Sequence, residues 1–362
     1  MSEVNDFFDN LLKSKEFKDG HYDGCKDINY RISTGSLNLD IGLGGGIPNG
    51  FARFVGNSQA GKSSSSLEIA RNFLKMFKDG HVIYYEAERK LSVNMKERVG
   101  LDFDDGRIRL IKSNYFETIF NSIQQSLFHF KQKKKILYIV DSMDGLTEKE
   151  HKDAQVGDSS RKASGAALTS EVLKRIGLPM GVFGHTCILI SQVRSKFKID
   201  RRSEDPNKDF TSASGGNAAI HAAEYTLQFE KYNVGDVMKE GESKKKAELF
   251  VNDAIGHMVK VKIAKSDNEK TLTSVTYPVR YGMKGKCSVW QEIEIFKILK
   301  NTGLLKCSGA WCEFLDGTIK EAKSKKIELK PKHNGENKFV DYLEENPKTK
   351  EFLYDYLKDT WK

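Results

Sequence analysis

Gly56-Asn57-Ser58-Gln59-Ala60-Gly61-Lys62-Ser63 matches the pattern G-x-x-x-x-G-K-[ST] at every position. The apolar run Phe51–Val55 leads into it, and Leu67, Ala70, Phe73 and Leu74 follow at helical spacing. Strand, glycine-rich turn and helix in that order make a cradle for phosphates. Backbone N–H groups of the turn and of the helix N-terminus point at the anion. Lys62 then reaches the β- and γ-phosphates as a point charge, and the Ser63 hydroxyl is a ligand for Mg²⁺. The segment from Gly56 to Ser63, with Ser64 after it, is therefore the expected nucleotide-contacting set. A chance glycine turn would lack the strand before it and the helix after it.

Working outward, three more apolar runs stand at Val82–Tyr85, Ile136–Val140 and Cys187–Ile190. They are continuous rather than alternating, which predicts strands buried on both faces of a mostly parallel sheet flanked by helices. Carboxylates and amides close these runs. Asp141 follows Ile136–Val140 and is the expected holder of Mg²⁺, through water. Glu86-Ala87-Glu88 follows Val82–Tyr85, and either glutamate is placed to orient an attacking water; spacing barely separates the two. Ser191-Gln192 closes the Cys187–Ile190 run, where an amide is able to hydrogen-bond a γ-phosphate. Residues 193–216 are then long, polar and basic, with Arg194, Lys196, Lys198, Arg201, Arg202 and Lys208. A loop of that length is either functional or disordered. Its place directly after Gln192 favours a nucleic-acid-binding segment over a merely solvated one.

The chain's ends differ from its centre. Phe7, Phe8, Leu11 and Leu12 predict an amphipathic helix over 4–17, docked on its own core or on another subunit. Val259, Val261 and Ile263 alternate with Lys260 and Lys262, predicting a strand with one buried and one basic face. From about Gly282 a small basic lobe is expected, with a helix over 289–300, a lysine-rich stretch at 323–332 and two helices split by Pro347.

With 362 residues, 38% hydrophobic and 30% charged, the composition suits a folded soluble protein. The net charge of +9 raises the expectation of a polyanionic partner, because each neutralised phosphate releases counterions. Five cysteines argue against a disulfide framework, Cys307 and Cys312 have no zinc-site spacing, and Cys187 lies in an apolar run. No run is long enough to span a membrane, and the N-terminus has no signal-peptide pattern. The expectation is a reduced, cytoplasmic protein.

Together these segments resemble the RecA family of DNA recombinases. Arg31-Ile32-Ser33-Thr34-Gly35-Ser36-Leu37-Asn38-Leu39-Asp40-Ile41 is similar to the opening of the RecA ATPase core. The phosphate loop, Glu86-Ala87-Glu88, Asp141-Ser142, Ser191-Gln192-Val193-Arg194 and Gly215-Gly216-Asn217-Ala218 follow in the family's order. Ser308-Gly309-Ala310-Trp311 and Asn346-Pro347 resemble its C-terminal lobe. The resemblance implies an α/β fold: an N-terminal polymerisation helix and linker (1–29), a RecA-type ATPase core (30–281) and a small α/β lobe (282–362). It implies a right-handed filament on single-stranded DNA, strand exchange with homologous duplex DNA, and hydrolysis of ATP with Mg²⁺ between subunits. Single-strand-binding and loader proteins would be partners. Glu88 falls on the family's catalytic glutamate and Gln192 on the residue linking the γ-phosphate to the second DNA loop, 193–216. Arg161 and Lys162 fall in a first DNA loop, 152–165, and Lys265 on a lysine that reaches the neighbour's ATP.

The chain departs from the pattern at several positions. Asp267 replaces a second ATP-contacting lysine, Met95 an adenine-stacking tyrosine and Ser92 an aspartate. The second loop is long, and its Phe197 and Phe210 are candidates either for wedging between bases or for facing the core. These departures fit a divergent member, such as a phage-encoded recombinase of the UvsX group. A hexameric helicase or branch-migration motor shares the phosphate loop and Asp141, and a DNA-binding filament protein with a vestigial ATPase is the non-enzyme alternative.

Overall fold

The computed structural model describes residues 3–14, 26, 28–149, 164–193, 222–230, 234–239, 254–267, 272–282 and 287–360. A short antiparallel ribbon, β1 (Arg31–Ile32) and β2 (Ile47–Pro48), precedes the main sheet. That sheet contains β3 (Gly50–Gly56), β4 (His81–Glu86), β5 (Ile108–Lys112), β6 (Ile136–Asp141), β7 (Thr186–Gln192), β8 (Tyr225–Glu230), β9 (Val237–Lys239), β10 (Ala254–Lys265) and β11 (Ser274–Arg280). Its order is β11-β10-β8-β3-β7-β6-β4-β5, with β9 also paired to β10. From β8 to β5 every pairing is parallel; β9, β10 and β11 add antiparallel pairs.

The four apolar runs become β3, β4, β6 and β7 because each lies inside this parallel block. Every residue of β3 and β6 is buried. One face of the sheet is closed by the helix Lys62–Met76, whose Leu67, Ala70 and Phe73 pack with Phe54, Ile139 and Ile190. Helices Phe116–Phe130 and Ser164–Val182 close the other face around Phe51, Tyr138 and Leu189. The result is a three-layer α/β core. In β10, Val259, Val261 and Ile263 are buried while Lys260 is exposed and pairs with Glu230 at 2.7 Å. The alternation read from the sequence is therefore a half-buried antiparallel strand.

Residues 291–360, with Leu37, build a third apolar cluster. Helices Gln291–Asn301, Asp316–Ser324, Gly335–Glu345 and Pro347–Thr360 surround β12 (Leu305–Ser308), β13 (Trp311–Phe314) and β14 (Lys332–Asn334). Leu299, Phe314, Phe339, Leu343 and Leu353 are its centre. Pro347 opens the last helix, where its missing N–H costs nothing. Two buried glutamates tie this part, and the segment that leads into it, to the core. Glu294 accepts from Ser36 Oγ at 2.6 Å and from the backbone of Leu37 and Asn38, capping the helix Leu37–Gly42. Glu68, on the helix after the phosphate loop, accepts from Ser288 N and Oγ, each at 3.1 Å.

At the N-terminus the expected amphipathic helix spans Glu3–Leu12, with Phe7 and Phe8 63% and 50% exposed. The reduced state expected of all five cysteines is corrected: Cys307 and Cys312 form a disulfide. The two cysteines face each other directly across the β12–β13 hairpin. The sequence hides this pairing until the turn at Gly309-Ala310 sets the register. Among the described residues no helix is long and apolar enough to cross a membrane.

Candidate nucleotide site

Parallel strands place their C-terminal ends along one edge, the usual ligand edge of such sheets. Here β3, β7, β6 and β4 are consecutive neighbours, so Gly56, Gln192, Asp141 and Glu86 end side by side. The phosphate loop leaves β3 from the middle of this row. Gly56 has φ 157°, and a Cβ there would lie 2.1 Å from the Phe229 carbonyl oxygen on β8. Glycine is required by that contact. Gly61, at φ 98°, caps the following helix in a left-handed conformation that exposes the first helical N–H groups.

Lys62 is buried, and its Nζ donates to the carbonyls of Gly56 at 2.8 Å and Asn57 at 2.6 Å. Burial pushes its ammonium down to about 8, against the pull of Asp141 and Asp144. Ser63 Oγ donates to Asp141 Oδ2 at 2.6 Å, and the Tyr84 hydroxyl donates to the same oxygen at 2.6 Å. Ser64 Oγ accepts from Arg98 Nη2 at 2.8 Å. Asn57, Ser58, Gln59 and Ala60 form the turn between Gly56 and Gly61, with Gln59 in a left-handed conformation at φ 63°.

The two glutamates after β4 differ in their partners. Glu86 is buried, and its Oε1 accepts the Leu91 N–H at 2.9 Å, which ties it to the chain's own backbone. Glu88 accepts from Ser142 Oγ at 2.5 Å and is ion-paired with Lys90. Burial raises the Glu88 carboxyl, but the bonds from Lys90 and Ser142 outweigh it, so the group titrates below the ordinary glutamate range. Gly145 abuts it: a Cβ there would lie 2.6 Å from Glu88 Cγ.

Gln192 is the last residue of β7, opposite Gly56. Its backbone N–H donates to Asp144 Oδ2 at 2.6 Å. Met95 is partly buried against the sheet's core, and Ser92 caps the helix Val93–Val99 by accepting the Met95 N–H. Lys265 is not brought to the phosphate loop. It pairs with Thr226 at the start of β8, three residues before the Phe229 that neighbours Gly56, or about 10 Å along the strand. Its Nζ donates to the Ala223 carbonyl at 2.6 Å. Asp267 is ion-paired with Arg31 and accepts from the Tyr225 hydroxyl.

Arg161 and Lys162 of the expected first loop lie outside the described residues. So do Arg194, Lys196, Phe197, Lys198, Arg201, Arg202, Phe210, Gly215, Gly216 and Asn217 of the second.

Sequence reading missed Tyr84, Arg98, Ser142 and Asp144, each bonded to an expected site residue. Ser142 and Asp144 carry a faint signal, since both are polar and lie within three residues of Asp141. Tyr84 and Arg98 carry none, because their partners are remote in sequence.

The RecA N-terminal domain family matches residues 17–285. The chain is 24% identical to protein RecA of Nostoc sp. (strain PCC 7120 / SAG 25.82 / UTEX 2576) over 329 residues, covering 91% of this chain and 80% of that one. It is 26% identical to protein RecA of Acinetobacter baylyi over 318 residues, 87% of this chain and 78% of the relative. Against protein RecA of Petrotoga mobilis it is 25% identical over 331 residues, 91% and 78%. With a phosphate loop seated between parallel strands, and with the family's domain spanning most of its length, the chain belongs to the RecA family of recombinases.

Proposed function

We propose that this chain is an ATP-dependent recombinase that polymerises on single-stranded DNA and pairs it with homologous duplex DNA, hydrolysing ATP in a DNA-dependent way. One observation carries the reading. Lys62, Ser63, Glu88, Asp141 and Gln192 lie in one linked set at a single sheet edge, and Gln192 leads directly into the basic segment 193–216.

The site suits ATP with Mg²⁺. Gly56 and Gly61 leave the backbone free to approach phosphates, Lys62 supplies the cation, and Ser63 and Asp141 offer adjacent hard oxygens. Bound there, Mg²⁺ would neutralise charge on the phosphates. Lys62 would exchange its two loop carbonyls for phosphate oxygens. Glu88, kept ionised by Lys90 and Ser142, would orient the attacking water and accept its proton. The Gln192 amide would bond the γ-phosphate and order 193–216 against DNA, so that hydrolysis releases the grip. Arg161, Lys162, Arg194, Lys196, Lys198, Arg201 and Arg202 are proposed phosphate contacts, with Phe197 and Gly215-Gly216-Asn217 in the same surface. Lys265, remote from its own phosphate loop, would complete the site of a neighbouring subunit, with residues 1–29 joining subunits and 282–362 forming the accessory lobe. Single-strand-binding and loader proteins are proposed partners, and the cytoplasm the proposed location.

The test is single-stranded DNA affinity by fluorescence anisotropy, with a slowly hydrolysed ATP analogue, with ADP and with no nucleotide, paired with electron microscopy. Tight binding and extended filaments with the analogue alone support the reading. Equal affinity in all three states refutes it, and closed rings favour a helicase.

A further inference from the structure

The turn that follows β6 serves more than the metal carboxylate. Asp141 bonds Ser63 and Tyr84, and Ser142 bonds Glu88. Three residues after Asp141, Asp144 takes the backbone N–H of Gln192 at 2.6 Å. A bond from a backbone N–H to an ionised carboxylate is about twice as strong as one between neutral groups. It falls on the residue where β7 ends and the basic segment begins.

Arg53 places a buried positive charge within the electrostatic reach of the same carboxylate. It lies in β3, three residues before Gly56, and is fully buried in an otherwise apolar strand. Ala52 and Phe54 face the helix Lys62–Met76. Side chains alternate along a strand, so Arg53 points to the opposite face. A guanidinium buried so deeply needs a counter-charge. The carboxylate acting on it is that of Asp144, which also acts on Lys62.

We propose that Asp144 is a positioning residue that transmits nucleotide state to the DNA-binding segment. Resting on the recombinase reading above, it holds the end of β7 in register with the phosphate loop, so that the Gln192 side chain meets the γ-phosphate. Asp144 touches neither nucleotide nor DNA in this role. Its carboxylate holds the strand that leads out to DNA through the hydrogen bond from Gln192, and its charge is felt by Arg53 on the strand that leads into the loop.

The test uses the full chain as wild type, Asp144→Ala and Asp144→Asn. Single-stranded DNA affinity is measured with the slowly hydrolysed ATP analogue and with ADP, and nucleotide affinity is measured separately. For Asp144→Ala the analogue-to-ADP ratio of DNA affinities falls by about tenfold or more. Nucleotide affinity stays level or tightens, because a negative charge beside Lys62 has gone. Asn retains an acceptor for the Gln192 N–H and restores part of the ratio. A merely structural defect would weaken nucleotide binding and both DNA states together, and that result overturns the proposal. An unchanged ratio in Asp144→Ala overturns it too while leaving the recombinase reading intact. A wild-type ratio of one sinks both.

Discussion

Lys62→Met keeps an unbranched stem of similar length and removes the ammonium that donates to Gly56 and Asn57. Two unit charges about 4 Å apart near a protein surface, at an effective dielectric of about 20, interact by about 4 kcal/mol. Losing that attraction weakens ATP binding by roughly a thousandfold. The wild-type chain carries a second signature of the same charge. Burial holds the free ammonium down at about 8, with Asp141 and Asp144 opposing. A bound triphosphate is a dense anion and lifts it again. Below pH 8 the lysine is already charged and affinity is flat. Above pH 8 each ATP that binds must bring a proton to Lys62, so affinity falls by up to about tenfold per pH unit. The second ionisation of a phosphate lies near pH 6, so the ligand's own titration is over in this range. Isothermal calorimetry between pH 7 and 9.5, in buffers of different ionisation enthalpy, reads both the affinity and the proton taken up. A wild-type affinity that stays flat across that range, or a Lys62→Met variant with the wild-type slope, refutes the assignment.

Three further outcomes are expected. Glu88→Gln retains nucleotide and DNA binding but lowers hydrolysis by about 10²- to 10⁴-fold in single-turnover assays; loss of binding in equal measure removes Glu88 from the water-orienting role. Gly145→Ala places a methyl 2.6 Å from Glu88 Cγ and displaces that carboxylate, lowering kcat by on the order of a hundredfold with nucleotide affinity unchanged; wild-type turnover contradicts it. Glu294 is pushed up to about 7 by burial, despite the bonds from Ser36, Asn38 and Leu37. A raised folded value means stability that is complete below the unfolded value near 4.5 and lost as pH rises through 7, about 3 kcal/mol in all. Denaturant midpoints of the wild type should therefore fall more steeply from pH 5 to 7.5 than those of Glu294→Gln, and parallel curves would show that Glu294 is not the group responsible.

The core strands were legible because burial on both faces demands unbroken apolar runs, and β3, β4, β6 and β7 have them, apart from Arg53 in β3 and the terminal polar residues. β5, at the edge of the sheet, reads Ile-Arg-Leu-Ile-Lys and gives no such run. The phosphate loop was legible because its chemistry is local: backbone, lysine and hydroxyl lie within eight consecutive residues. The contacts around it were not. Tyr84 to Asp141, Ser142 to Glu88 and Asp144 to Gln192 join segments 57, 54 and 48 residues apart, and such pairs exist only once the strand order is known. Cys307 and Cys312 were misread for a related reason, since a spacing of five pairs two thiols only in one hairpin register.

β3 lies between parallel neighbours and alternates its side chains between two different layers. Inserting or deleting one residue ahead of Gly56 would turn the strand inside out, driving a guanidinium into the oily layer beneath the phosphate-loop helix and a phenylalanine ring into the place of a charge. Between the two terminal glycines, conservative changes of the apolar side chains along this strand are survivable, whereas a change in its length is not. The tolerance of this protein to insertions should therefore be lowest in the seven residues that carry no reactive group at all.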